Sequence, residues 1–470
     1  MALRIVAYVA TITLSLITTV LLLYVSLGYR FDSSSGHVVK SGLLLVDNNP
    51  EAAQIYINDQ LKDNATPGRF VLAAGEYNLK LARNGYRDWS KKVQVAVSGV
   101  REVTYPLLVP SELTTNTIKD IENPSMVSQS TDKKLLLMHV SGKSNFTLIN
   151  LKGETVEETN LEIPTSVKRE NGSVGSFEVI EWSLNNKHVL LRQTLPSNAQ
   201  QLISYNISKP QEVVNVSVLY GAETPTDVHY VGNDTDTIYG LQNTVLKQFS
   251  LKAKDSKSLL ENIRAYQPYG DDTILFDRAT ASNLSEVGIY KDSTTTVVHT
   301  NGANTPVSLL KYAEFDDHQY LAVAPVGGTT VTVYRDPLKK PVISKQLPFV
   351  TITFGGTTKL DFSDSSQFIL AQNATGFVTY DIDDRRLYRV SPQFTSANGS
   401  VFSWINSHNI QVKRSDGMVV LMDYDGTNQQ ELISAGDQPK LYFASNFENV
   451  YKIVSQNGTA GIQRTSLLAE

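Results

Sequence analysis

A polar turn followed by a short apolar strand recurs eight times from about Glu112 to the end of the chain. The strands begin at or near Leu135, Val189, Ile238, Ile274, Tyr320, Phe368, Ile410 and Val450. Their spacing runs from 36 to 54 residues with a mean of 45. This spacing is expected when a four-stranded β unit repeats around an axis. The sequence therefore predicts eight such units.

Several units can be divided into strands directly. The second reads as FEVIEWS, HVLLRQT, QQLISYNIS and EVVNVSV, and the seventh as VFSWINS, NIQVKRS, MVVLMDYDG and QQELIS. The last unit offers PKLYFAS, NVYKIVS and GIQRTSLL and is one strand short. We expect Leu113 to Ile118 to supply that strand and close the ring, because closure removes an open sheet edge.

The repeat predicts a β-propeller over residues 111–470, most simply with eight blades. Seven blades remain the alternative, because the fourth unit is short and the fifth is irregular around Gly327 and Gly328.

Composition excludes several classes of function. The 42 Lys and Arg against 47 Asp and Glu give a formal charge of -5 without a basic block, which argues against nucleic-acid binding. The chain has no cysteine, so disulfides, thiolate metal sites and cysteine nucleophiles are excluded. The 22 Tyr and 16 Phe favour β structure.

The first 30 residues contain an uncharged stretch from Ile5 to Leu27. As a helix it would be about 34 Å long, enough to span the hydrocarbon core of a membrane. The stretch is too long for a cleaved signal peptide. We expect an uncleaved single-pass anchor over residues 1–30 that holds the bulk of the chain outside the cytoplasm. Arg4 on one flank against Arg30 and Lys40 on the other gives little orientation bias.

Residues 41–110 alternate apolar and polar side chains in short runs that are separated by Pro50, Pro67, Gly75 and Gly85. Such alternation predicts strands with one buried face, and hence a small β-sandwich. The side chains expected to face its core are Leu43, Leu45, Ile55, Ile57, Leu79, Leu81, Val93, Val95 and Val97.

This region resembles the PEGA domain. The tetrapeptide is Pro50-Glu51-Ala52-Ala53, and the resemblance extends to Gly42, Val46, the Asn58-Asp59 turn, Thr66-Pro67, Gly75-Glu76-Tyr77 and Asn84-Gly85-Tyr86. Ala52 and Asp59 replace glycines of the family pattern, so local turn geometry is open to difference. The resemblance implies a bacterial or archaeal surface-associated sandwich that is a spacer or attachment module.

The repeat region is similar to propellers of the Tol-Pal type in period and strand pattern. Trp182-Ser183 and Asp423-Tyr424-Asp425-Gly426 are the stretches that echo motif residues. The similarity implies a β-propeller fold and little about function.

Candidate chemistry is sparse. There is no G-x-S-x-G elbow, and no two of the seven histidines have metal-ligand spacing. His188, His318 and His408 occupy comparable positions, which we interpret as exposed turn histidines. We interpret Asp271-Asp272, Asp316-Asp317 and Asp381-Asp383-Asp384 as turn residues, and Asp423 to Asn428 as a hairpin turn lacking a calcium loop's distal Glu.

The three Trp are expected to differ in role. Trp182 and Trp404 lie in first strands of their units, which favours core packing. Trp89 follows a turn in the sandwich and is the better candidate for an exposed binding residue.

These observations predict no catalytic residues, no cofactor, no metal and no nucleic-acid partner. The leading hypothesis is a non-enzymatic, membrane-anchored cell-envelope protein whose propeller binds or scaffolds another envelope protein or a cell-wall polymer. The alternatives are a propeller-type enzyme acting on glycan or peptide, and a purely structural surface-layer component.

Overall fold

The computed structural model describes residues 2–26, 28–32, 37–152, 156–339, 347–397, 401–456 and 459–469. The chain divides into two compact units. The first contains residues 1–113 together with 467–470, and the second contains residues 114–466.

Helix α1 covers Ala2–Ser26. The hydroxyls of Thr18 and Thr19 donate to the carbonyls of Leu14 and Ser15, at 2.8 and 2.9 Å, which satisfies their polar atoms within the helix. Within the part of the chain that the structure describes, no helix has the length and apolarity needed to cross a membrane. Leu27, the last residue of the uncharged stretch, lies outside the described residues. Membrane insertion stays a prediction.

Eight strands follow α1 among the described residues of the first unit. They are β1 Tyr29–Asp32, β2 His37–Val46, β3 Gln54–Ile57, β4 Gln60–Ala65, β5 Gly68–Ala73, β6 Gly75–Ala82, β7 Trp89–Val95 and β8 Val100–Val103. One sheet has the order β1-β2-β5 with β8 parallel to β2, and the other has the order β4-β3-β6-β7. One cluster of buried side chains, including Leu44, Ile55, Leu81 and Val95, draws on both sheets. This is the predicted β-sandwich.

Two predictions about this core are wrong. In β2 the structure buries Leu44 and Val46 rather than Leu43 and Leu45, which are half-buried. Every position of that run is apolar, so alternation could not select the buried face. Val97 lies beyond the end of β7 and is exposed, whereas Ile55, Ile57, Leu79, Leu81, Val93 and Val95 are buried as predicted.

The two positions that replace family glycines keep a glycine-like backbone. Ala52 has a φ of 69° and Asp59 a φ of 63°, both in the left-handed region. Asn58 has a φ of 50°, so the two-residue turn between β3 and β4 has positive φ at both positions. Asn and Asp tolerate this geometry because their short polar side chains bond locally.

The second unit begins with β9 Thr115–Glu122 and then contains 31 further strands among the described residues. Sheet 1 contains β10 Met126–Gln129, β11 Leu135–His139, β12 Asn145–Asn150 and β13 Glu157–Glu162, and sheet 2 contains β14 Ser176–Trp182, β15 His188–Thr194, β16 Gln200–Asn206 and β17 Val214–Asn215. Sheet 3 contains β18 Thr226–Val231, β19 Asp234–Gln242, β20 Val245–Ser250 and β21 Ser256–Leu260, and sheet 4 contains β22 Ile263–Tyr269, β23 Thr273–Ala279, β24 Ser285–Lys291 and β25 Thr294–Asn301.

Sheets 5 to 8 follow the same pattern. Sheet 5 contains β26 Ser308–Phe315, β27 His318–Pro325, β28 Thr330–Arg335 and β29 Val350–Thr353, and sheet 6 contains β30 Lys359–Phe362, β31 Phe368–Gln372, β32 Phe377–Asp381 and β33 Arg386–Val390. Sheet 7 contains β34 Ser403–Trp404, β35 Asn409–Lys413, β36 Met418–Asp423 and β37 Gln430–Ser434, and sheet 8 contains β38 Tyr442–Phe443, β39 Asn449–Gln456, β40 Thr459–Ser466 and β9.

Each sheet is an antiparallel meander, and neighbouring sheets pack through apolar clusters. The first strands contact one another, as β10 with β14, β14 with β18, β22 with β26 and β26 with β30. Successive side chains of one strand face opposite neighbours: in β11, Leu137 packs toward sheet 2, while Leu136 and Met138 pack toward sheet 8. Meanders that pack in succession with their first strands together are the arrangement of a β-propeller. The predicted β-propeller is confirmed.

The ring closes through both ends of the second unit. Strand β9 pairs antiparallel with β40, from Glu122 opposite Thr459 to Thr115 opposite Thr465. A buried cluster that includes Met138 from sheet 1 and Ile462 from sheet 8 joins the last sheet to the first. The prediction that a strand near residues 113–118 completes the last unit is confirmed, with the strand running on to residue 122.

The predicted fourth strand of the second unit is mostly wrong. Only β17, of two residues, is a strand; a short helix α2, Val216–Tyr220, and a 3₁₀ helix, Gly221–Glu223, follow it. The side chain of Asn215 accepts a hydrogen bond from the Val218 N–H at 2.9 Å and caps α2. This N-cap stabilises a helical turn where the apolar alternation alone favoured a strand.

Candidate functional site

A large groove lies between sheets 8 and 1, where the ring closes. Its volume is about 1210 Å³. We call it the closure groove; its charged and amide side chains are Asp120, Glu122, Lys143, Asn145, Glu158, Asn160, Glu162 and Arg169. Hydroxyl groups of Ser144, Thr147, Thr165 and Thr459 also line it.

Alternation in two strands explains why the groove is polar. Asn145 lies opposite Glu162, Thr147 opposite Asn160, and Ile149 opposite Glu158, so these side chains share one face of sheet 1. Ile149 is buried in the cluster that joins sheets 1 and 8. Beyond Ile149 the same face carries amide, hydroxyl and carboxylate groups, which do not support apolar packing between sheets. The two sheets therefore leave a groove at this end.

Two ion pairs link the walls of the groove. Lys143 Nζ lies 3.1 Å from Glu122 Oε1, and Lys119 Nζ lies 2.9 Å from Glu158 Oε2. In each pair one residue belongs to β9 of sheet 8, and its partner is Lys143 in the turn between β11 and β12 or Glu158 in β13. Because these pairs are at least partly exposed, each contributes little stability. They set the spacing of charges along the groove.

Arg169 supplies an unpaired positive charge at the groove. Its Nη2 donates to the Ile163 carbonyl oxygen at 2.8 Å, and its buried Nε has no hydrogen-bond partner. Within the described residues no carboxylate forms an ion pair with this guanidinium. Asn145 Nδ2 donates to Asn160 Oδ1 at 3.2 Å, which orients a pair of amides in the same groove.

This arrangement is suited to binding through hydrogen bonds. The groove combines acceptors on four carboxylates with donors on two amides, a lysine and an arginine. None of the four carboxylates is buried. Within the described ranges, no group of three potential metal ligands comes together.

A second polar cluster lies on the first strands of sheets 2 to 4. His229 Nδ1 lies 3.2 Å from Glu181 Oε2, and its Nε2 lies 3.7 Å from Asp227 Oδ1. Burial alone lowers the pKa of His229, but hydrogen bonds and charge from Asp227 and Glu181 outweigh it and raise the pKa to about 9. Tyr266 packs edge-on against the His229 ring and donates its hydroxyl to the Asp227 carbonyl oxygen. His229 is therefore a charged histidine near neutral pH.

Lysines from several sheets form a third cluster. Lys133 Nζ lies 3.3 Å from Asp364 Oδ2, which joins the first turn of sheet 1 to that of sheet 6. Lys359 and Lys311 share Asp361, at 3.5 and 3.9 Å. The side chain of Lys440 reaches solvent, yet the surrounding protein lowers its pKa, and the charges of Lys359 and Lys133 lower it further.

The three aligned histidines do not form a site. His188 packs against Tyr230, His318 Nδ1 lies 2.6 Å from Asp336, and His408 packs against Phe368. All three are half-buried, so the prediction that they are exposed is wrong. The aromatic neighbours of His188 and His408 come from adjacent sheets, and Asp336 follows the strand that pairs with the His318 strand.

The predicted acidic turns are confirmed as turns except at Asp381, which is the buried last residue of strand β32. Asp271-Asp272, Asp316-Asp317 and Asp383-Asp384 each lie between two strands of one sheet. Asp381 Oδ1 accepts from the backbone N–H groups of Asp383 and Asp384, at 3.0 and 3.2 Å. The N–H of Gly426 donates to the Asp423 carbonyl in the predicted hairpin turn. The Asp381 carboxylate thus stabilises the backbone of its turn, whereas Asp272 accepts from the Thr273 hydroxyl and pairs with Lys291.

The prediction for Trp89 is wrong. Its side chain is fully buried in the sandwich core, where it packs edge-on against Tyr105 with ring centroids 6.0 Å apart. Trp182 is buried as predicted and donates from Nε1 to Ser128 Oγ at 2.9 Å. Trp404 is half-buried against the cluster between sheets 6 and 7.

Sequence reasoning missed the closure groove. The available signal was the pair of segments NFTLIN and EETNLE, whose alternate positions are polar on one face. Finding the groove from this signal also requires placing β9 across from these two segments. Strand β9 reaches that position by pairing with β40, from which more than 300 residues of sequence separate it.

Comparison with known families gives one match. Residues 41–108 match the PEGA domain, which confirms the resemblance drawn from the motifs. No curated protein matches the chain.

Solved structures with a similar fold share little sequence with this chain. The C-terminal WD40 domain of Sif2 has a TM-score of 0.48 and 12% identity, covering 74% of this chain and 97% of that one. The WD40 beta propeller domain of Doa1 has a TM-score of 0.34 and 10% identity, covering 75% and 97%. An oligogalacturonate lyase from Vibrio parahaemolyticus has a TM-score of 0.38 and 8% identity, covering 76% and 98%. Likenesses this weak carry no argument about function.

Proposed function

We propose that this chain is a non-enzymatic, membrane-anchored protein of the cell envelope that binds an envelope polymer. Helix α1 is its anchor, the PEGA domain is a spacer or attachment module, and the propeller is the binding domain. The bulk of the chain lies on the outer side of the membrane.

The observation that carries this proposal is the closure groove. The volume of the groove is about 1210 Å³. Small-molecule pockets typically have volumes of about 300 to 1,000 Å³. An open, elongated ligand fits such a groove better than an enclosed metabolite does. The exposure of Asp120, Glu122 and Glu162 supports binding rather than hydrolysis.

The anchor is supported by the sequence of α1. The stretch from Ile5 to Leu27 contains no charged residue. In the structure large apolar side chains of α1, such as Leu14, Leu16 and Leu22, are about two-thirds exposed. An exposed apolar surface of this kind is favourable in lipid and unfavourable in water.

Eight blades are supported by the strand pairing. Each of the eight sheets in the described part of the second unit has four strands, and the eighth is completed by β9. Hydrogen bonds between Gln411 and the backbone of Leu441 also join sheets 7 and 8.

Sedimentation with insoluble polymer tests this function. The full chain, solubilised in mild detergent, is mixed with the insoluble polymer of the producing organism's envelope after its proteins have been removed. We expect the natural chain to sediment with the polymer. The double variant Asn145→Ala with Asn160→Ala should remain in the supernatant. A chain that stays in the supernatant would overturn the proposal.

A further inference from the structure

The chemistry of the closure groove restricts its ligand further. The lining contains both strong acceptors and strong donors, close together on one sheet face. Asn160 Oδ1 accepts from Asn145 Nδ2, and Thr147 Oγ1 lies 3.5 Å from the same oxygen. Each of these groups retains a further donor or acceptor for a ligand, because an amide has two donors and two lone pairs.

A ligand that matches this lining must offer donors and acceptors at each position along its length. Sugar hydroxyls do so, because each hydroxyl both donates and accepts. Ile121 and Pro124, both half-buried, add apolar area against which the C–H faces of sugar rings can pack. An apolar peptide would instead require a mainly apolar and aromatic lining.

The charge of the groove selects among glycans. Four carboxylates line it against Lys143 and Arg169. Lys119 of β9 neutralises one of the four, Glu158, so the groove has an excess of one negative charge. Lys143 is already paired with Glu122, which leaves Arg169 as the lining cation without an ion pair in the described residues. Asp120 and Glu162 form no ion pair there either. A polyanion would be repelled, whereas an amino group would be attracted.

We infer that the closure groove binds a neutral or amino-bearing glycan chain, held by Asn145, Thr147 and Asn160 on one face of sheet 1 and by Asp120 and Glu162 at its sides. This inference rests on the proposed function and names its ligand class.

Isothermal titration of the detergent-solubilised full chain tests the ligand class with three hexamers. They are a glucosamine hexamer, an N-acetylglucosamine hexamer and a galacturonic acid hexamer. We expect the glucosamine hexamer to bind most tightly, the N-acetylglucosamine hexamer next, and the galacturonic acid hexamer most weakly. Raising the salt concentration should bring the first two affinities together.

Variants on opposite faces of one strand locate the site. Asn145→Ala with Asn160→Ala should lower the affinity for the N-acetylglucosamine hexamer about tenfold, since two hydrogen-bonding groups are lost. Thr159→Ala is the matched control, because Thr159 lies next to Asn160 and lines a separate groove on the opposite face. Asp120→Asn with Glu162→Gln should weaken binding of the glucosamine hexamer alone.

Three results would overturn the inference: tightest binding of the galacturonic acid hexamer, equal loss of affinity in Thr159→Ala and the double variant, or no binding of any hexamer. Sedimentation with envelope polymer separates this failure from failure of the proposed function. A chain that sediments but binds no hexamer has a different ligand class, whereas a chain that does not sediment lacks the proposed function itself.

Discussion

The Oγ1 atoms of Thr115 and Thr465 lie 2.7 Å apart and share a hydrogen bond, although 350 residues of sequence separate them. They lie on β9 and β40, the outermost pair of strands of the eighth sheet. The pairing means that the first and last strands of the second unit stabilise the same sheet. It also builds the wall of the closure groove that contains Asp120 and Glu122.

Closure of the ring should depend on Ile462. Its side chain is fully buried in the cluster that joins sheets 8 and 1. We expect Ile462→Ala to lower the free energy of unfolding of the second unit by about 2 to 5 kcal/mol, through lost burial and the cavity left behind. Denaturant unfolding measures the loss. Gln463→Ala, at the next and half-buried position of β40, should cost far less. Equal losses in the two variants would contradict the role of this cluster.

The last residues of the chain should stabilise the first unit. The backbone N–H of Ala469 donates to the Tyr86 hydroxyl at 2.8 Å, and Leu467 is buried. We expect Tyr86→Phe to reduce the stability of the first unit by about 1 kcal/mol, the usual net value of one hydrogen bond. Thermal unfolding monitored on that unit tests this. Tyr56→Phe, which removes an exposed hydroxyl bond to Gln54, is the control and should have little effect.

Much of the fold could be predicted from the sequence, because the repeated turns and the alternation of apolar and polar residues are local signals. The turn before each second strand contains Asn, Asp or Gly, and the structure begins β11 at Leu135 and β31 at Phe368, where the apolar strands were expected. The turn at Asn58-Asp59 was also predicted, and both residues have positive φ in the structure.

Features set by distant contacts could not be predicted. Trp89 follows a turn, and only the position of Tyr105 and the opposite sheet shows that it is buried. The run from Leu43 to Val46 is apolar at each position, so its buried face depends on which strands cover it. The closure groove could not be predicted for the same reason. Its two walls come from β9 and from sheet 1, which meet only in the folded ring.

The charge of His229 should make stability depend on pH. Its pKa is raised from 6.5 to about 9 by Asp227 and Glu181, which outweigh the effect of burial. The charged form therefore stabilises the fold, by up to about 3 kcal/mol, below pH 6.5, and this contribution is lost as the pH rises through about 9. The stability difference between the natural chain and His229→Gln should shrink from pH 6 to pH 10. A difference that does not change with pH would contradict this assignment, and Glu181→Gln should lower the His229 pKa in an NMR titration.

The lysine cluster should make Lys440 unusually reactive. The surrounding protein, and then the charges of Lys359 and Lys133, lower the pKa of Lys440. More of this amine is then uncharged at pH 8, so acylating reagents should modify it quickly. Lys359→Gln should raise the pKa of Lys440 and slow the reaction, as measured by mass spectrometry of the labelled peptide. The rate at Lys92, which pairs with Glu76 in the first unit, should not change. An unchanged rate at Lys440 would show that Lys359 does not act on it.

Protease treatment of intact cells tests the central claim, that an anchored propeller meets its polymer outside the membrane. The chain carries a tag after its last residue, and a cytoplasmic protein serves as the control. We predict that the protease removes the tag and digests the second unit while the cytoplasmic control stays intact. A tag that stays protected until the membrane is opened would place the propeller on the inner side and contradict the account.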